Sequence, residues 1–73
     1  MIHDRSRSRI VEVKTKNDAW VVAVRDIPEP LTVHATKEEA IETAGVFANA
    51  SKPAVVVVLR ADGTTEAEYY FVT

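Results

Sequence analysis

Four consecutive valines, Val55, Val56, Val57 and Val58, flanked by Ala54 and Leu59, constrain this chain more than any other stretch. Branched β-carbons crowd a helix and fit a pleated strand. A strand that is apolar at every position has both faces covered. Left exposed, such a run is a template for aggregation. The segment is therefore expected to lie centrally in a sheet.

The chain has little material with which to cover it. Its 73 residues make one domain with a thin core. It has no cysteine, which excludes disulfides and thiolate metal sites. Its two histidines, His3 and His34, have no partner at ligand spacing, so neither a metal nor a cofactor is expected. Of the devices that stabilise small domains, composition leaves oligomerisation. Hydrophobic residues make up 47%, the share of an ordinary globular domain, so global disorder is not expected.

Around the valines the pattern alternates between two periods. In "RIVEVKTK", residues 9–16, Val11, Val13 and Thr15 fall on one face and Glu12, Lys14 and Lys16 on the other, the pattern of a half-buried strand. Asn17 and Asp18 make a turn, and "AWVVAVRD" forms the second arm of a hairpin, with Trp20, Val22 and Val24 facing one way and Val21, Ala23 and Arg25 the other. Pro28 and Pro30 take the chain out of the ladder, and "LTVH", residues 31–34, predicts a short third strand at an edge. Thr36 and Glu39 make a capping box that opens a helix over 36–50. Its apolar face is Ala40, Ile41, Ala44, Phe47 and Ala48, its polar face Glu38, Glu42 and Asn49, and Gly45 interrupts it at a cost of about 1 kcal/mol. Pro53 ends the element. "ADGT" after the valine strand turns the chain through Gly63 into a last strand, with Ala67, Tyr69 and Phe71 on one face and Glu66, Glu68, Tyr70 and Val72 on the other.

The order β-β-(β)-α-β-β, with a hairpin at each end, predicts an α+β domain: an antiparallel sheet of four to five strands with one helix on one face. The expected division is a basic N-terminal arm, residues 1–8, and a single domain over 9–73. One helix leaves the opposite face open. A broad apolar face of that kind is seldom left to water. A two-fold homodimer is the expected cover, through Val21, Ala23, Val55, Val57, Tyr70 and Val72.

Charge is unevenly spread. Residues 1–16 hold five basic and two acidic residues, a net +3, whereas residues 17–73 hold four and nine, a net −5. The basic segment makes nucleic acid the alternative partner, through Arg5, Arg7, Arg9, Lys14 and Lys16, with Trp20, Tyr69, Tyr70 and Phe71 as stacking surfaces. The overall charge of −2 argues against it, because such proteins are usually strongly basic. The longest apolar run, Ala54–Leu59, is too short to span a membrane, and "MIHDRSRSR" lacks the apolar core of a signal peptide, so a cytoplasmic location is expected.

Candidate chemistry is sparse. His34 near Glu38 or Asp26, and the neighbouring carboxylates Glu66 and Glu68, are the only acid–base constellations, and solvated surface residues account for both. Asp62 and Glu66 lack the further ligands of a calcium loop. With Gly45 and Gly63 as the only glycines, there is no phosphate-cradling loop. The expected catalytic set is empty, and a non-enzymatic interaction or regulatory module is the expected role.

The tryptophan followed by alternating valines in "AWVVAV", the helix start "ATKEEAIETA" and the final "AVVVVLRADGTTEAEYYF" together resemble a family of small prokaryotic proteins known as domain of unknown function 2188. The likeness runs from Val11 to Phe71 and is carried by Trp20, Thr36, Lys37, Glu39, Ala40, Ala44, Ala48, Asp62 and Gly63. Ala19 stands where members usually have glycine, and "DIPEP" departs from the family pattern. The resemblance implies the same fold. It offers no catalytic residues, since the matching positions are a core tryptophan, a helix cap and a turn.

Overall fold

A computed structural model describes residues 8–72. All of the arm expected over 1–8 except Ser8 therefore lies outside the described residues. The chain runs β1 (Arg9–Lys16), β2 (Ala19–Val24), β3 (Thr32–His34), α1 (Lys37–Ala50), β4 (Ala54–Leu59) and β5 (Thr65–Phe71). The strands form one sheet in the order β3-β2-β1-β4-β5.

Local chemistry explains each turn. Asn17 and Asp18 both take positive φ, 52° and 66°, which gives a two-residue hairpin and pairs Lys16 with Ala19. Asp26, at φ 76°, closes a tight turn in which the Ile27 amide donates to the Val24 carbonyl at 3.0 Å. Gly63 takes φ 91° in the β4–β5 loop, and the Asp62 carboxylate there accepts bonds from both the amide and the hydroxyl of Thr64. The Asp62 carboxyl is held below its ordinary pKa by these two hydrogen bonds.

The sheet is mixed, which corrects the antiparallel expectation. β1 pairs antiparallel with β2 and β2 with β3, but β1 and β4 are parallel, from Arg9 opposite Ala54 to Val13 opposite Val58. The third strand is the reason. With three strands ahead of the helix, β3 runs in the direction of β1. A single helical crossover then starts β4 in that same direction. Two hairpins read separately from the sequence do not reveal how they join.

Capping and packing place α1. The Glu39 amide donates to Thr36 Oγ1 at 3.2 Å, and Glu38 and Glu39 lie in the positive first turn. At the other end the Ser51 hydroxyl donates to the Phe47 carbonyl at 2.8 Å. Ala40, Ala44 and Ala48 are fully buried against Val11, Val13, Val22, Ala54, Val56 and Val58, with Trp20, Ile41, Phe47, Ala67 and Phe71 around them. The alanines therefore seat the helix directly on the valine layer, as its sequence pattern indicates. Val46, on the polar side of the helix, is exposed. Lys37 ties the first turn to the sheet, with its ammonium 5.9 Å from the Trp20 ring centroid and ion-paired with Glu66.

Gly45 lies over the last strand. A β-carbon there would meet Phe71 Cζ at 3.7 Å, an ordinary van der Waals distance. Space for a methyl group exists, and only the backbone entropy of glycine is lost. Gly45→Ala is expected to stabilise the fold by about 1 kcal/mol, raising Tm by roughly 4–8 °C in a thermal melt. A lower Tm would show that the Phe71 ring cannot absorb the contact.

Candidate functional site

The face of the sheet turned away from α1 is organised in rows fixed by strand register. In one row Arg25, whose amide donates to the Ile10 carbonyl, is followed by Ile10, Val55 and Tyr70. The next row is Ala23, Glu12, Val57 and Glu68. A third is Val33, Val21 and Lys14.

Glu12 sits in the middle of this surface. Its carboxylate accepts from Lys14 Nζ at 3.2 Å and from Arg25 Nη2 at 3.0 Å, and its side chain is only 14% exposed. Partial burial pushes its pKa upward. Hydrogen bonds from Arg25 and Lys14, with the charges of both, outweigh that and hold it below the ordinary 4.5. One anion between two cations leaves the β1–β2 half of the face with positive charge. Lys16 adds another, and among the described residues it makes no ion pair.

Five of the six expected interface residues separate into two groups. Val21, Ala23 and Val57 are buried within the single chain, at 3%, 7% and 6% exposure, while Tyr70 and Val72 are 67% and 68% exposed. Val55 is half-buried. The broad open valine surface expected from the sequence is therefore much reduced. The Lys14–Glu12–Arg25 bridge crosses its centre, and Ile27, Pro28 and Pro30 of the β2–β3 connection form one depression of about 340 Å³ with Lys14, Lys16, Val21 and Ala23. Exposed apolar groups remain at its two margins: Ile27, Leu31 and Val33 on the β3 side, Tyr70 and Val72 on the β5 side.

Of the expected basic contact residues, Lys14 and Lys16 share the face opposite α1 and line the same depression, and Arg9 is separated from them. Arg9 turns to the helix side, with its guanidinium 5.9 Å from the Phe47 ring centroid, whereas Lys14 occupies the opposite face. Arg5 and Arg7 lie outside the described residues. Of the aromatic residues, Trp20 and Phe71 pack against the core, and Tyr70 lies on the opposite face, where its hydroxyl donates to Glu68.

The acid–base candidates are also dispersed. His34 shares a 2.8 Å hydrogen bond with Thr32 Oγ1, and neither Glu38 nor Asp26 is its partner. Val58 pairs with Ala67 and Leu59 with Thr65, so Glu66 is the extra residue of a bulge. The bulge breaks the alternation that would set Glu66 beside Glu68: Glu66 bonds Lys37 on the helix, and Glu68 bonds Tyr70. Among the described residues no group of three His, Cys, Asp or Glu side chains could hold a metal ion.

Sequence reasoning missed the role of Arg25 and Glu12. The signal was present. A two-residue turn at Asn17 and Asp18 sets the register that places Glu12 opposite Ala23, two residues from Arg25 on the same face.

Fold and surface together define a two-layer α+β domain with an ion-bridged sheet face. The chain belongs to the family described as "Uncharacterized protein conserved in bacteria (DUF2188)", which matches residues 9–71. Comparison with curated proteins and with solved structures returns no match. Among the described residues no helix is long and apolar enough to cross a membrane.

The Glu12 bridge has a pH signature. Because its folded pKa is lowered, its contribution is complete above the unfolded value near 4.5 and is lost as pH falls through the folded value. Glu12→Gln leaves Lys14 and Arg25 without their shared anion and is expected to cost about 1 kcal/mol at pH 7. Urea melts of the two proteins should converge once the medium is acidic enough to protonate Glu12. A constant difference across that range would show that packing, not charge, sets the effect.

Proposed function

We propose that this domain is a non-enzymatic, self-associating interaction module of the bacterial cytoplasm, and that the face opposite α1 makes the contact. The observation that supports it most is the placement of exposed apolar side chains. Of the seven exposed large apolar side chains among the described residues, Ile27, Leu31, Val33, Tyr70 and Val72 fall at the two margins of one face, while Val46 and Tyr69 lie on the helix side. Such residues clustered on one side of a small domain mark a contact surface. The thin valine and alanine core, without disulfide or cysteine ligand, adds the thermodynamic motive. At micromolar concentration, sedimentation equilibrium is expected to return twice the mass of the chain. A single-chain mass throughout would end this reading.

Nucleic-acid binding, the alternative from charge, has less support. Arg9 and Lys14 occupy opposite faces, and Trp20 and Phe71 are engaged with the core. A gel-shift assay with single- and double-stranded DNA and RNA at low salt is expected to show no retardation, although low salt favours such contacts. A shift abolished by replacing Lys14 and Lys16 would restore the alternative.

A further inference from the structure

The face opposite α1 is electrically divided along the strands. On the strands themselves, its β1–β2 half carries Lys14, Lys16 and Arg25 against the carboxylate of Glu12, with Asp26 and Glu29 exposed in the connection after β2, and its β4–β5 half carries Glu68 as its charged side chain. Apolar groups follow the same division, with Ile27, Pro28 and Pro30 walling the depression on the basic half and Tyr70 and Val72 exposed on the acidic half. Between the strand residues of β1–β2 and those of β4–β5 the charges are complementary.

We propose, resting on the self-association reading, that the occupant of the basic depression is β5 of a second copy, in a reciprocal two-fold contact. The strand order makes this closed arrangement possible. In β3-β2-β1-β4-β5, strands β2 and β5 lie equally far from the line between β1 and β4. A two-fold axis along that line, between two stacked sheets, lays each β5 over the partner's β2. Sheets stacked face to face keep their strands aligned within about 30°, which suits this rotation.

Register then decides which residues meet. Rotation about an axis parallel to the strands keeps each row at its own height. Tyr70 and Arg25 occupy the same row, and so do Glu68 and Ala23. Each Tyr70 comes over the partner's Arg25, beside the Ile27 and Pro28 wall, in a cation–π contact. Each Glu68 comes over Ala23, between the cations of Arg25 and Lys14. A two-fold axis across the strands instead would set the lysine-bearing half over itself, and like charges disfavour it.

The test is a charge exchange between copies. Arg25→Glu and Glu68→Arg are each expected to weaken self-association by at least about tenfold, because both equivalent contacts then oppose like charges. An equimolar mixture of the two variants should recover the dimer as a heterodimer, because both of its contacts are again attractive. Circular dichroism confirms that each variant is folded. Should either variant fail to fold, Tyr70→Ala, at an exposed position, is expected to weaken the dimer by about tenfold. A wild-type chain that is monomeric removes the self-association reading itself. A wild-type dimer that survives both charge reversals, or folded variants that stay apart when mixed, overturns the β5 assignment and leaves self-association standing. Loss of the dimer on deleting residues 1–7, with the charge reversals silent, assigns the surface to the N-terminal segment and also overturns it.

Discussion

The contact between Ala40, Ala44 and Ala48 and the valine layer is the interaction on which the rest of this domain depends. Alanine has no side chain beyond its β-carbon, so the helix backbone lies close to the sheet. At that distance one helix of fourteen residues reaches β1, β2, β3 and β4. Longer side chains on that face would lift it, and the fully buried layer of Val11, Val13, Val22, Val56 and Val58 would lose its cover. Ile41 and Phe47 fill the margins, and Phe71 reaches beneath Gly45 from the edge strand.

The same helix determines the sheet. A parallel pair needs a crossover, and α1 supplies it, so β1 and β4 become adjacent inner strands. That adjacency brings the valine strand into the middle, as its composition demands. It also places Glu12 between Ala23 and Val57, where a carboxylate without partners would be costly. Lys14 and Arg25 remove that cost. The second face is thereby covered at its centre by an ion bridge instead of a second layer, and apolar exposure is displaced to the two margins.

Much of this was legible from the residues. The valine run announced an inner strand, Thr36 and Glu39 announced the helix start, and the alanine spacing announced the buried stripe. These are local signals, each written within one turn of helix or one pleat. The face opposite α1 was less legible. Val21, Ala23 and Val57 read as open because alternation shows which face a side chain takes and not what lies over it. Glu66 and Glu68 read as neighbours because a bulge leaves little mark on alternation, and here it separates them.

The sequence by itself determined the element types, the helix boundaries, the hairpin at Asn17 and Asp18 and membership of a bacterial family matching residues 9–71. These follow from side-chain branching, capping and turn chemistry, which act over a few residues. Tertiary structure alone decided the parallel joining of the two hairpins, the sharing of Glu12 between Lys14 and Arg25, and the gathering of Lys14, Lys16 and Arg25 on one half of the face opposite α1. Those depend on which strands become neighbours across the helix crossover, and that choice is made by packing between segments far apart in the chain.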